Sequence, residues 1–171
     1  MRSAHVLAGS LLAAMAPLAA AQDHAAEQAL KDHAANVAKI AAGFVNFAGS
    51  EDNAVALVES LRQGAAVKLT YALEGEGVHV PAVVPLEPPT GPMVWADVRM
   101  ALMLARDALL GAGISRPSGE VLHAVLVGGQ VTMQSGRVLA FRGVLQMRAE
   151  GLSWTQIASE RFLRRAVARI E

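Results

Sequence analysis

The stretch that most limits what this chain can become is its first one, MRSAHVLAGSLLAAMAPLAAAQ. Arg2 and His5 form a short basic start, Val6–Met15 carries no charge, and Pro17 breaks the run. Ala19, Ala20 and Ala21 then supply small residues where a signal peptidase reads. This is the three-part pattern of a cleavable secretory signal peptide. A membrane anchor needs about 20 apolar residues, and this run is shorter. Cleavage after Ala21 is expected, leaving Gln22–Glu171, 150 of the 171 residues, in the periplasm or outside the cell, with no stable membrane span. Small exported domains often lean on disulfides, but the sequence contains no cysteine. Apolar burial and backbone pairing must carry the fold, and a chain of this length can bury a real core. Hydrophobic residues make up 53% of the sequence and aromatics only 4%, so helices packed closely on small side chains are expected.

The hydrophobic pattern divides residues 22–171 into helices with two hairpins between them. Over Gln22–Phe47, Leu30, Ala34, Val37, Ala41 and Phe44 recur at spacings of four and three, the stripe of one helix. Glu27 and Lys31 can pair on its outer side. Gly49 ends it, and Ser50 caps a second helix whose apolar side is Val55, Leu57, Val58 and Leu61. Val67, Leu69, Tyr71 and Leu73 then alternate with polar or small residues, the pattern of a half-buried strand. Glu74–Gly77 is turn material, and Val78–Val84 returns. Pro81 and Pro85 place that return strand at a sheet edge. Met93–Gly111 reads as a long helix buried through Trp95, Val98, Leu102, Ala105 and Leu109. A helix capped by Ser118, a hairpin around Gln134–Gly136 and a helix over Arg142–Glu150 follow. Ser153 and Gln156 form a capping box for a last helix over 152–171, bent near 159–160. The fold class is therefore α+β: one mainly helical domain with one or two small antiparallel hairpins.

Charge is unevenly spread. Gln22–Asp97 holds four Lys/Arg against ten Asp/Glu, net −6, while Val98–Glu171 holds ten Arg against five Asp/Glu, net +5. Arginine suits phosphate and carboxylate partners. At helical spacing Arg161, Arg164, Arg165 and Arg169 share a side with Trp154 and Ile157, which makes them the candidate binding residues for an anion or a protein. The segment GLSWTQIASERF also has the look of a helix-turn-helix. That motif needs a tight turn and then a recognition helix. Ala158 is instead followed by SERFLRRAVARIE, with no Gly, Asn or Pro. No nucleic-acid partner is expected.

Catalytic chemistry finds few anchors. There is no Gly-x-Ser-x-Gly elbow, and Ser50, Ser118 and Ser153 serve as caps. His24 and His33 point to opposite sides of one helix, and no His-x-x-x-His spacing occurs. Met93, Met100 and Met103 fit core filling better than a copper site. No metal and no cofactor are expected, and no catalytic residue is assigned. Glu74 and Glu76 form a carboxylate pair in a turn, without an aromatic sugar platform nearby. MVWADV and LSWTQI both open a helix with tryptophan and place an apolar residue three positions later.

Three segments, PPTGPMVWADVRMAL, GISRPSGEVLHAVLVGG and GVLQMRAEGLSWTQIA, follow a signal peptide in this order. In this the chain resembles a group of small exported proteins of Gram-negative bacteria that carry Gly-Trp-Gly-like segments at both tryptophan sites. The likeness covers about the C-terminal half and part of Ser50–Leu73. Here Val94 and Ala96, and Ser153 and Thr155, stand where the group has glycine, and its Leu-Gly after the final Ile-Ala is missing. The resemblance implies export and one compact unit, with no activity, ligand or catalytic residue to transfer. The expected function is a non-enzymatic envelope binding module that contacts a protein or an anionic polymer. A small hydrolase using Glu74, Glu76 or His123 is the alternative. A helical self-assembly unit built on the Leu30–Phe44 stripe is a third reading.

Overall fold

The computed structural model describes residues 16–72, 81–160 and 163–164. Helix α1 spans Ala16–Ala41. Its stretch up to Asn36 belongs to one unit of the chain, and Val37–Glu171 forms the other. Within the first unit the Lys31 ammonium meets Glu27 at 2.6 Å, as the four-residue spacing predicts. Leu30 is 71% exposed there, whereas Val37, Ala41 and Phe44 of the same stripe are buried in the second unit. The stripe is therefore not one uniform surface: three of its five residues, Val37, Ala41 and Phe44, are spent on the chain's own core. The helix also does not run unbroken to Phe47. It gives way to a 3-10 turn over Ala42–Phe44 and a short α2, Val45–Ala48. Gly43 weakens the helix there, and Phe44 and Phe47 settle edge-to-face at 6.2 Å.

Helix α3, Glu51–Gln63, starts where the Ser50 hydroxyl accepts the Asn53 N–H at 3.1 Å. It stops at Gly64, whose φ of +66° and whose contact with the Gly91–Pro92 backbone both exclude a side chain. Leu57, Val58 and Leu61 are buried as expected, but Val55 is exposed. Strand β1, Val67–Ala72, pairs antiparallel with β2, Pro81–Leu86, in the register Leu69↔Val84 and Thr70↔Val83. Of the expected return strand Val78–Val84, residues 81–84 lie in β2, which continues to Leu86, and residues 73–80 are outside the described ones.

Asn53 ties α3 to the outer edge of β1. Its buried amide accepts the Thr70 N–H at 2.9 Å and donates to the Thr70 carbonyl at 2.8 Å and to the Ala48 carbonyl at 3.0 Å. The side chain stands in for a neighbouring strand at Thr70, satisfying both of that residue's outward backbone groups.

Helix α4, Trp95–Gly111, buries Val98, Leu102, Ala105 and Leu109. Helix α5, Gly119–Val127, is capped by Ser118. It is the hub of the second unit, touching α4, α6, β2 and β3. Strands β3 (Gly129–Thr132) and β4 (Val138–Phe141) form the expected hairpin, turning through Gly136. Helix α6, Val144–Ala149, leads into α7, Trp154–Ser159, whose N-terminus carries the expected capping box. Leu57, Leu102, Leu122 and Met147, one from each main layer, have no measurable exposure. Burying each such side chain contributes about 1.5–3 kcal/mol.

The C-terminal helix expected over 152–171 ends at Ser159. Glu160 is extended, with φ −67° and ψ 122°, and Leu163–Arg164 forms β5, antiparallel to β4 with Arg164 opposite Ala140. At Leu163–Arg164, ladder pairing on the edge of β4 overrides helical propensity. The mainly helical α+β class stands, with two small antiparallel sheets of order β1-β2 and β3-β4-β5.

Candidate functional site

Of the four arginines singled out in the sequence, Arg164 lies in β5, and Arg161, Arg165 and Arg169 are outside the described residues. Arg164 sits in a strand and so does not continue helix α7. The point from which this segment departs is built firmly. Arg142, just past β4, donates through Nη1 to both Glu160 carboxylate oxygens at 3.0 and 2.8 Å, and through Nη2 to Glu150 at 2.7 Å. Gln146 adds a bond to Glu150 at 3.2 Å. The two carboxylates hold the guanidinium above its usual pKa, Glu150 foremost. Arg142 and then Gln146 hold Glu150 below the usual carboxylate range.

Both tryptophans are pinned by arginine in the same way. Arg62, near the end of α3, stacks 5.2 Å above the Trp95 ring and donates to the Met93 carbonyl at 3.1 Å. Arg148, near the end of α6, stacks 5.0 Å above Trp154 and donates to the Leu152 carbonyl at 3.1 Å. In each case the carbonyl lies two residues before the tryptophan. The likeness between MVWADV and LSWTQI is thus a likeness of anchoring geometry. The Trp154 indole N–H also donates to Asp97 at 2.8 Å, and Arg148 approaches the same carboxylate at 3.9 Å. A cleft of about 440 Å³ opens beside this node, lined by Thr90, Pro92, Asp97 and Arg148 among others. Sequence reasoning missed both arginines, and only the repeated tryptophan segments hinted at them.

A second region lies along α5. A cavity of about 580 Å³ is bounded by Val84 and Pro85 of β2, by Glu120, His123 and Ala124 of α5, and by Gly129–Val131 of β3. An adjoining cavity of about 660 Å³ shares Glu120 and Val131 and reaches Arg116 and Met133. His123 and Glu120 therefore share a cleft, although among the described residues no hydrogen bond joins them. Glu74, Glu76 and His79 lie outside the described residues. Met93 is buried, whereas Met100 and Met103 are exposed on α4. The hydroxyls of Ser50, Ser118 and Ser153 accept backbone N–H bonds, as caps do. Tyr71 packs its ring against Gly119, and its hydroxyl is buried with no partner among the described residues; burial pushes its pKa up to about 12.

No protein-family model, no curated protein and no solved structure matches this chain. Among the described residues no helix is long and apolar enough to cross a membrane.

Proposed function

We propose that this protein is an exported, non-enzymatic binding module of the bacterial envelope, whose C-terminal segment contacts an anionic polymer. One observation carries the reading. The Arg142–Glu160 ion pair stands immediately before a segment, residues 161–171, that holds four arginines and a single glutamate. The carboxylate just before the segment is already paired, so it does not offset those charges. Arginine binds phosphate and carboxylate through a planar fork. Export is supported by the leader pattern and by the resemblance described above.

The test is binding of polyphosphate and of anionic lipid vesicles at increasing salt. The protein is compared with a variant carrying Arg161→Gln, Arg164→Gln, Arg165→Gln and Arg169→Gln. Binding should weaken as salt rises and fall sharply in the variant. Binding that ignores both changes would end the reading. Export itself is read from the intact mass of the protein in the exported fraction, which should match Gln22–Glu171.

The hydrolase alternative has His123 beside Glu120 in one cleft. Neither a hydrogen bond between them nor a third group orienting the imidazole accompanies the pair among the described residues, so binding is the better-supported use of this surface.

A further inference from the structure

The two small sheets treat their outer edges in opposite ways. Both Thr70 backbone groups are taken by Asn53, on the side away from β2. The pair Thr70↔Val83 is therefore a non-hydrogen-bonded one. Alternation then turns Pro81, Val83 and Pro85 outward together. The two prolines sit where an outward N–H would be, and Val83 retains the only outward donor of the three. An edge built this way resists a further strand.

Strand β3 is different. The Met133 N–H donates to the Arg137 carbonyl at 2.8 Å, which sets the hairpin's bonded pairs. With Val131↔Leu139 and Gly129↔Phe141 following in register, Gln130 and Thr132 present both backbone groups away from β4. The other edge of β4 is taken by β5, so β3 is the outer strand. Gly129–Thr132 contains no proline and no charged residue. Of the devices that keep natural edges from pairing it has only its shortness, four residues, which leaves two outward-facing residues for a short added strand.

This edge borders the trough whose floor is α5 and whose far wall is Val84 and Pro85 of β2. Cavities of about 580 and 660 Å³ lie along it. That is the size range of clefts that hold small ligands, about 300–1,000 Å³. A second folded copy would need roughly 800 Å² of open face, and the β2 wall stands against that. Glu120 is the one carboxylate lining both cavities.

We propose that the trough binds an extended peptide segment of a partner protein as an added strand on β3. Backbone bonds would run to Gln130 and Thr132. Alternate apolar side chains would lie between Val84, Ala124 and Val131, and a lysine or arginine would reach Glu120. This is recognition by strand addition, in which main-chain bonds give affinity and pockets for alternate side chains give choice. The trough is lined by residues of β2, α5 and β3 and the proposal uses none of the C-terminal arginines, so either proposal can fail alone.

The test uses capped peptides of alternating valine and threonine with lysine, glutamine or glutamate at the centre, followed by amide NMR on the full chain. The lysine peptide should slow exchange of the Gln130 and Thr132 amides at least tenfold. It should bind roughly tenfold more tightly than the glutamate peptide, about the effect of one charge-assisted bond. Glu120→Lys should reverse that order. Gln130→Pro should abolish binding while leaving the fold intact, because the N–H it removes points away from β4. The quadruple arginine variant should bind the peptide unchanged. Failure of every peptide to bind would overturn the proposal. So would binding that leaves those two amides unmoved or survives Gln130→Pro. A dimer of the free protein that Gln130→Pro dissolves would assign the edge to self-pairing instead, and the peptide proposal would be dropped.

Discussion

The Trp95 and Trp154 anchors use the same parts over very different spans. Arg62 reaches the Met93 carbonyl across 31 residues, and so ties α3 to the start of α4 over the whole β1–β2 hairpin. Arg148 reaches Leu152 across four, closing the loop between α6 and α7. The long anchor holds together layers that the chain reaches only by folding. The short anchor shapes a local turn, and it becomes a tertiary tie only because the Trp154 indole bonds Asp97 of α4. Asp97 stands two residues beyond Trp95, so both anchors meet at the N-terminus of α4. An arginine–tryptophan pair is therefore worth whatever its span makes it close.

The sharpest way to break the comparison is to remove each ring. Trp95→Ala and Trp154→Ala should each cost about 3 kcal/mol in chemical denaturation, since both rings are partly buried against the core. They should differ in reach. Trp95→Ala should lower amide protection across the second unit, whereas Trp154→Ala should release α7 and β5 first. If both variants lose protection uniformly, the local-versus-long distinction is wrong.

Removing the arginines comes next. Arg62→Ala should cost about 2 kcal/mol, because it leaves a half-buried carbonyl and a ring face uncovered. Arg148→Ala should cost about 1 kcal/mol, its side chain being 36% exposed. Lysine at either position should recover less than half of the loss, for want of a planar stack. Equal costs for the two arginines would show that span does not matter.

Tyr71 sharpens the contrast between an aromatic whose polar end is met and one whose is not. Its hydroxyl is buried without a partner among the described residues, while the Trp154 N–H is satisfied by Asp97. Tyr71→Phe should therefore be neutral or stabilising by about 0.5 kcal/mol. A clear destabilisation would reveal a partner for the hydroxyl. Tyr71 is the sole tyrosine in the sequence, so phenolate absorbance reports it alone. Its folded pKa is raised to about 12 from 10.0 by burial. The unfolded chain ionises first as pH rises, so the stability held by the neutral phenol is intact below pH 10 and drains away toward pH 12. Titration of the native protein near 10 would contradict the burial. The smallest effect is expected for Asp97→Asn. It keeps an oxygen for the Trp154 N–H and loses only the long Arg148 contact, for a change within about 0.5 kcal/mol.

Much of the fold was legible locally. Ser50, Ser118 and Ser153 begin helices and Gly49 and Gly64 end them, because caps and left-handed stops are satisfied within a few residues. The stripe of α4 and the turn at Gly136 were equally readable, since period and turn chemistry are local. The candidate sites were not. The arginine stripe assumed that helical phase continues past Ser159, yet the free edge of β4 draws Leu163–Arg164 into a strand. The Asn53 amide looked like an ordinary helix residue until Thr70, 17 positions away, came to lie against it. Likewise, nothing in the spacing of Arg62 or Arg148 tells which tryptophan each will cover. The trough along α5 needs β2, α5 and β3 set side by side before an open edge and a guarded one can be told apart. The sequence by itself determined most helix starts, their caps, the turn at Gly136 and the cysteine-free dependence on apolar burial, since each rests on composition or on contacts a few residues long. Only the tertiary structure decided which polar groups meet, which strand edges close and where the arginines stand, because hydrogen-bond partners and ladder edges are chosen by proximity in space and not along the chain.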